Sequence, residues 1–300
     1  MLEHTLASSV DCTGIGLHTG NPVYLSLNPA PPGAGFSFAR VDLDNPTTFP
    51  ARSEWVIDTT LATTLGSRSN PKARVSTTEH LLSALWGMGV DNCIIEIAGE
   101  EVPIMDGSAA PFVDMIKRAG LKPQDQFRRE IVIHEPIEVR DGDRWIRIIP
   151  SDHFYMSTLI DFNHPSIGRQ YFTPKKISQD YYIKEIAPAR TFGLLKDISA
   201  MKKLGLVKGG TLDNAVVVGH YGVVNQLRYP DEFVRHKTLD LLGDLALLGY
   251  GIQGHVMATK TGHTLNRMLI DEIRRKTDYW SLEFQQKIVD PNINSFYASQ

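Results

Sequence analysis

Phe233-Val234-Arg235-His236-Lys237-Thr238-Leu239-Asp240-Leu241-Leu242-Gly243-Asp244-Leu245-Ala246-Leu247-Leu248 is the stretch on which the fold turns. Its leucines wrap most of a helical surface, and a helix apolar nearly all round belongs in a protein interior. The spacing predicts one long helix over 231–248. Steps of four residues advance about 400° around the axis, so His236, Asp240 and Asp244 share a face. A His and a carboxylate four residues apart can grip one metal ion. On an exposed helix the same pair is an ordinary solvated stripe, but the flanking leucines bury this one, and buried acids need partners.

Working outward, β-like runs at Ala215–Val218 and Ile252–Thr259 flank the helix, and a further helix runs from about His263 to Lys276. Before them come strands from Ile131 through Phe162 and helices near Ser178–Glu185 and Lys196–Leu204. The first part of the chain repeats that broad order. Short alternating runs such as Val23–Leu27 and Cys93–Ile97 are interrupted by a helix starting near Ser76, with Leu81, Leu82, Leu85 and Trp86 at helical spacing. A second helix, Ala110 to Ala119, stops at Gly120. The polar, Pro-containing segment 120–129 reads as a linker. Strands followed by helices, twice over, predict two α+β domains, 1–126 and 127–300, without a residue-level repeat between them.

Composition bounds the function. The 300 residues carry a formal charge of −3, far from the basic footprint of a nucleic-acid binder. Hydrophobic residues at 42% and charged residues at 22% are those of an ordinary globular protein. Nowhere do 18 uncharged apolar residues run together as a membrane span requires, and the N-terminus lacks the basic and apolar blocks of a signal peptide. A cytoplasmic protein is expected, with Cys12 and Cys93 as reduced thiols. The C-terminal Asn292-Ile293-Asn294-Ser295-Phe296-Tyr297 reads as a flexible tail.

A catalytic zinc takes three protein ligands and a water, and His80 is the best third candidate. It ends Ser76-Thr77-Thr78-Glu79-His80, where Ser76-x-x-Glu79 also has the form of a capping box. The pattern leaves Glu79 divided between cap and chemistry. In Lys260-Thr261-Gly262-His263-Thr264-Leu265-Asn266 a strand-to-helix turn places His263 at a helix N-terminus, whose dipole lowers its pKa. Asp244, one turn beyond the His236/Asp240 pair, would oppose that. The glycines of Thr13-Gly14-Ile15-Gly16-Leu17-His18-Thr19-Gly20 do not form GxGxxG and read as a turn between strands. His4, His134, His153 and His164 show no liganding pattern.

Taken with Pro103-Ile104-Met105-Asp106-Gly107-Ser108-Ala109-Ala110-Pro111-Phe112 and Ala189-Arg190-Thr191-Phe192-Gly193, these motifs recur in an order that resembles the UDP-3-O-acyl-N-acetylglucosamine deacetylase family, the zinc hydrolases of lipid A biosynthesis. The resemblance runs from about Leu6 to about Leu282. It implies two similar α+β domains, their helices packed between outer β-sheets and the active site at the domain junction. It makes His80, His236 and Asp240 the ligands of Zn2+, Glu79 the general base, His263 the general acid and Asp244 the carboxylate that orients it. Thr191 and Lys237 fall beside the developing oxyanion. Phe192, Lys260, Asp161 and Phe162 match positions associated with the sugar and UDP.

The apolar positions Leu194, Ile198, Val207, Leu212, Ala215 and Val217, interspersed with Lys196, Lys202, Lys203 and Lys208, read by themselves as a packing face; the resemblance makes them an acyl-chain passage inserted in the C-terminal domain. The implied reaction removes acetate from a UDP-linked, 3-O-acylated N-acetylglucosamine. Its implied setting is a cytoplasmic monomer making transient contact with the inner membrane surface. Two rivals are a metal amidohydrolase acting on another acylated amine and a non-catalytic binding protein with a structural metal, which would need a fourth protein ligand.

Overall fold

Leucine burial puts the long helix at the centre of the molecule. The computed structural model describes residues 1–173 and 176–285, and the tail segment 292–297 lies outside them. Among the described residues the α-helices are Glu79–Gly87 (α1), Ala110–Ala119 (α2), Gln179–Tyr181 (α3), Leu195–Lys203 (α4), Glu232–Leu245 (α5) and His263–Arg275 (α6). Only Arg235 and Lys237 of α5 escape burial. A 3-10 turn, Ala246–Leu248, prolongs α5 until Gly249 closes it in the left-handed region.

One sheet takes its strands from the first part of the chain. Val10–Ile15, Pro22–Pro29, Cys93–Ala98, Phe36–Arg40 and Thr47–Pro50 lie side by side in that order. Cys93, Ile95 and Ile97 point inward at the period of two that a one-sided sheet requires. The second sheet grows around Gly251–Thr259, which pairs in parallel with Phe154–Asp161 and Arg129–Ile133 and antiparallel with Arg144–Ile149. Helix α2 lies on Val10–Ile15, α5 on Phe154–Asp161, α6 on Ile137–Asp141 and Arg144–Ile149, and α1 packs along α5. The helices therefore meet between outer sheets, the α+β arrangement expected.

The seam between α1 and α5 is unusually close. A Cβ at Gly243 would stand 2.0 Å from the Glu79 carbonyl oxygen, so only glycine lets the two backbones meet there. That contact brings the start of α1 onto the His236–Asp244 face.

Two sequence expectations are corrected. The segment read as a linker contains the strand Leu121–Phe127, paired antiparallel with Leu2–Leu6. Its one buried side chain is polar: Gln124 donates to the Ala30 carbonyl at 2.8 Å and accepts from Asn92 Nδ2 at 2.8 Å, so no apolar alternation announces it. The capping box also fails. Helix α1 begins at Glu79 rather than near Ser76, and the Ser76 N–H is taken by the Glu100 carbonyl at 2.9 Å. Residues 16–21 do form a turn between strands, held by Glu101, which accepts from the His18 and Thr19 N–H groups at 2.9 Å each. Cys12 and Cys93 are free thiols. No helix among the described residues is long and apolar enough to cross a membrane.

Candidate active site

His80 on the first turn of α1 and His236 and Asp240 on α5 converge, all three buried, with ligand atoms within 4.8 Å of one another. His236 Nδ1–H donates to the Ala189 carbonyl at 3.1 Å. Burial drives the His236 pKa down to about 3, so the ring is neutral and its Nε2 carries a lone pair. That lone pair faces Asp240 Oδ1 at 3.3 Å, while His80 Nε2 stands 3.5 Å from the same oxygen. Asp240 Oδ1 is buried without a hydrogen-bond partner. Two imidazoles and one carboxylate around an orphaned acceptor are the donor set of a catalytic zinc or a similar divalent ion. The residues present fit a cation between them.

Asp240 is ionised although burial opposes it. A neutral His236 cannot hold the carboxyl below its usual range; the Lys237 ammonium, 2.7 Å from Oδ2, can. Lys237 is thus tied to the carboxylate that would hold the metal, and its own pKa rises despite burial because of Asp240.

A second polar chain runs beside the trio. Glu79, which packs under Gly243, is freed from capping and accepts the Thr63 N–H at Oε2, 3.1 Å away. Burial raises its pKa. Its Oε1 lies 3.6 Å from His263 Nε2, and His263 begins α6 as the sequence predicts. On the ring's other side Nδ1 meets Asp244 Oδ2 at 2.8 Å. Burial and the helix N-terminus disfavour imidazolium, but Asp244 and then Glu79 outweigh them and lift His263 to about 9. Asp244 is fixed in turn by the Thr63 hydroxyl at 2.5 Å and by Asn266 Nδ2 at 2.7 Å. Thr63 therefore bridges both halves of the acid–base pair, and neither it nor Asn266 was expected from the sequence. Asn266 had a readable signal, three residues after His263 on the same helix. Thr63 had none, since half its contribution is a backbone N–H.

These groups open onto a cleft of about 390 Å³ whose walls include Glu79, His80, His236, Lys237, Asp240 and His263. Thr191, Phe192, Phe162 and Leu194 line it as well. The Phe162 and Phe192 rings meet edge to face at 5.5 Å. Lys260 and Asp161 pair with each other at 3.3 Å outside the cleft walls, and Lys260 also binds Asp143 at 2.7 Å. Of the six apolar passage positions only Leu194 lines the cleft. Ile198, Val207, Ala215 and Val217 are half-buried outside the cleft walls, and Leu212 is exposed. Leu17, Leu61 and Met201 supply apolar wall that the sequence did not point to. A larger groove, about 970 Å³ between Trp86, Arg128 and Tyr250, contains none of the acid–base or metal-trio residues.

Comparison with known proteins gives one consistent answer. The sequence profile of the UDP-3-O-acyl N-acetylglycosamine deacetylase family matches residues 3–275. Relatives named UDP-3-O-acyl-N-acetylglucosamine deacetylase include one from Anaeromyxobacter sp. (strain Fw109-5), 47% identical over 90% of this chain and 88% of its own. Others come from Idiomarina loihiensis, 46% identical over 93% of this chain and 91% of its own, and Teredinibacter turnerae, 47% identical over 93% and 92%.

Proposed function

This chain belongs to the UDP-3-O-acyl N-acetylglycosamine deacetylase family, and we propose that it hydrolyses the 2-acetamido group of UDP-3-O-acyl-N-acetylglucosamine, giving UDP-3-O-acyl-glucosamine and acetate in lipid A biosynthesis. The observation that carries the proposal is the orphaned Asp240 Oδ1 facing two imidazoles, one residue from a carboxylate–imidazole pair. Held by His80, His236 and Asp240, zinc would supply Lewis-acid polarisation of the amide carbonyl and the attacking water. A group of three ligands, with no fourth among the described residues, supports a catalytic over a structural ion.

The chain's own residues divide the protons. Glu79, its carboxylate desolvated and therefore more basic, takes the proton of the attacking water. Thr191 and Lys237, on the cleft wall beside the trio, stabilise the oxyanion as the carbonyl becomes tetrahedral. The C–N bond then breaks, and His263 gives its Nε2 proton to the departing amine. With Nδ1 engaged by Asp244, Nε2 is the position that faces Glu79 and the cleft. The acid and base must start in opposite protonation states, and the buried Asp244 carboxylate maintains that difference.

Phe162 and Phe192 offer aromatic faces for the sugar, and the Lys260–Asp161 pair lies on the path we assign to UDP. The acyl chain leaves past Leu194 and Met201 toward Ile198, Val207, Leu212, Ala215 and Val217. In this proposal the enzyme is a cytoplasmic monomer with domains 1–126 and 127–300. Mass spectrometry of purified protein with UDP-3-O-acyl-N-acetylglucosamine should detect acetate and the free amine, abolished by a chelator and restored by zinc. Intact substrate in the zinc-loaded reaction would refute the assignment.

A further inference from the structure

The rim of the cleft turns apolar surface outward. Helix α4 has no buried residue. Met201 faces the cleft, but Leu195 and Leu204 are 48% and 77% exposed. At 100° per residue Lys202 lies almost beside Leu195, with Lys196 and Lys203 about a quarter-turn away on one side and Leu204 on the opposite face, so three lysines flank an outward leucine.

The neighbouring turn adds to this patch for a topological reason. Phe192–Leu194 pairs in parallel with Val216–Val218, Leu194 opposite Val218. Both strands leave the pair at the same end, which sets Leu195 next to the turn starting at Gly219. Tyr221 at the tip is fully exposed and Val224 54% exposed. Across residues 192–224 four lysines, 196, 202, 203 and 208, outnumber Asp197 and Asp213, and Asp197 lines the cleft. The chain as a whole is at −3, so this rim is a positive, apolar-tipped face on a negative body.

We propose that the α4 rim docks on an anionic lipid surface and seats the cleft mouth at the headgroup layer. Leucine and tyrosine tips would enter the interface while lysines engage lipid phosphates, and the negative remainder of the protein would be repelled, fixing one orientation. The inference rests on the acyl-sugar reading only for its purpose, delivery of a fatty-acylated substrate; the docking is measurable without turnover.

The test is co-sedimentation of the full chain with vesicles of phosphatidylcholine alone or with added phosphatidylglycerol. Binding is expected only to the anionic vesicles and should weaken as salt rises. Each interfacial lysine is worth about fivefold in partitioning, so Lys202→Glu with Lys203→Glu should lower binding at least about 25-fold. Leu195→Ser with Tyr221→Ser should also release the protein, whereas Phe127→Ser, an exposed apolar position on another face, should not. Turnover of vesicle-embedded substrate should fall with binding while turnover of a soluble short-chain substrate stays constant. Wild-type protein that ignores anionic vesicles, or rim variants that bind like wild type, would overturn the proposal. Equal loss of soluble turnover in the rim variants would also overturn it by placing the rim in the active site. Vesicle binding as described without any acetate release would leave the docking intact and remove the deacetylase assignment instead.

Discussion

Helix α5 buries twelve of its fourteen residues and α4 none of its nine, yet both contribute to one cleft. On α5 two polar groups of the site are held from outside the helix, His236 by the Ala189 carbonyl and Asp244 by Thr63, Asn266 and His263, while Asp240 is held by Lys237 of the same helix. Such a network stays in place before substrate arrives, which is what electrostatic stabilisation of a transition state requires. Among the described residues the α4 side chains have no such partners. In the proposed reaction the chemistry falls to the buried seam, and the open surface of α4 is left to meet the acyl chain.

The comparison breaks first if the seam tolerates loss of its ligands. His80→Ala, His236→Ala and Asp240→Ala should each lose zinc on dialysis against a chelator and reduce turnover to background, because three ligands leave no redundancy; metal content measured alongside kcat checks this. Glu79→Gln is the next largest effect. The amide oxygen can still accept the Thr63 N–H, so zinc content and Tm should hold while kcat falls roughly 10²–10⁴-fold with the base removed. Near-normal turnover would return Glu79 to a structural role.

The α4 side should respond to substrate length instead. Removing four methylenes from the acyl chain forfeits about 3 kcal/mol of burial, roughly a hundredfold in kcat/KM. A substrate series assayed with wild-type protein measures it, and no dependence on length would remove the acyl path from Leu194 and Met201.

The smallest effect sharpens the account of Asp244. His263, raised from 6.5 to about 9, contributes stability that is fully present below pH 6.5 and lost as pH climbs toward 9. Asp244→Ala should flatten that dependence of Tm on pH. In the same variant the basic limb of the pH–rate profile should shift to lower pH, since the helix N-terminus is then opposed by less negative charge. An unmoved limb would exclude Asp244 as the partner of His263.

Much of the seam was legible because its elements announce themselves with apolar side chains. Leu239, Leu241 and Leu242 identified α5 as interior, and the four-residue spacing then placed His236, Asp240 and Asp244 on one face. His263 was legible from the strand-to-helix turn. What stayed hidden depends on backbone groups or polar pairing: the Ala189 carbonyl, the Thr63 N–H, and the backbone pairing with Leu2–Leu6 that makes a strand of an expected linker whose one buried side chain is the polar Gln124. The Ser76 motif misled because the Glu100 carbonyl claims its N–H first, a competitor no local pattern contains. On α4 the apolar spacing was visible, but spacing does not say which side faces solvent.

Since His80 belongs to α1 while His236 and Asp240 belong to α5, an ion gripped by all three is also a crosslink across the seam closed at Gly243. Mass action then makes free metal concentration a thermodynamic variable of the fold itself: each tenfold excess over the dissociation constant adds about 1.4 kcal/mol of resistance to unfolding. Cellular zinc supply would govern how long the protein persists as well as how fast it turns over.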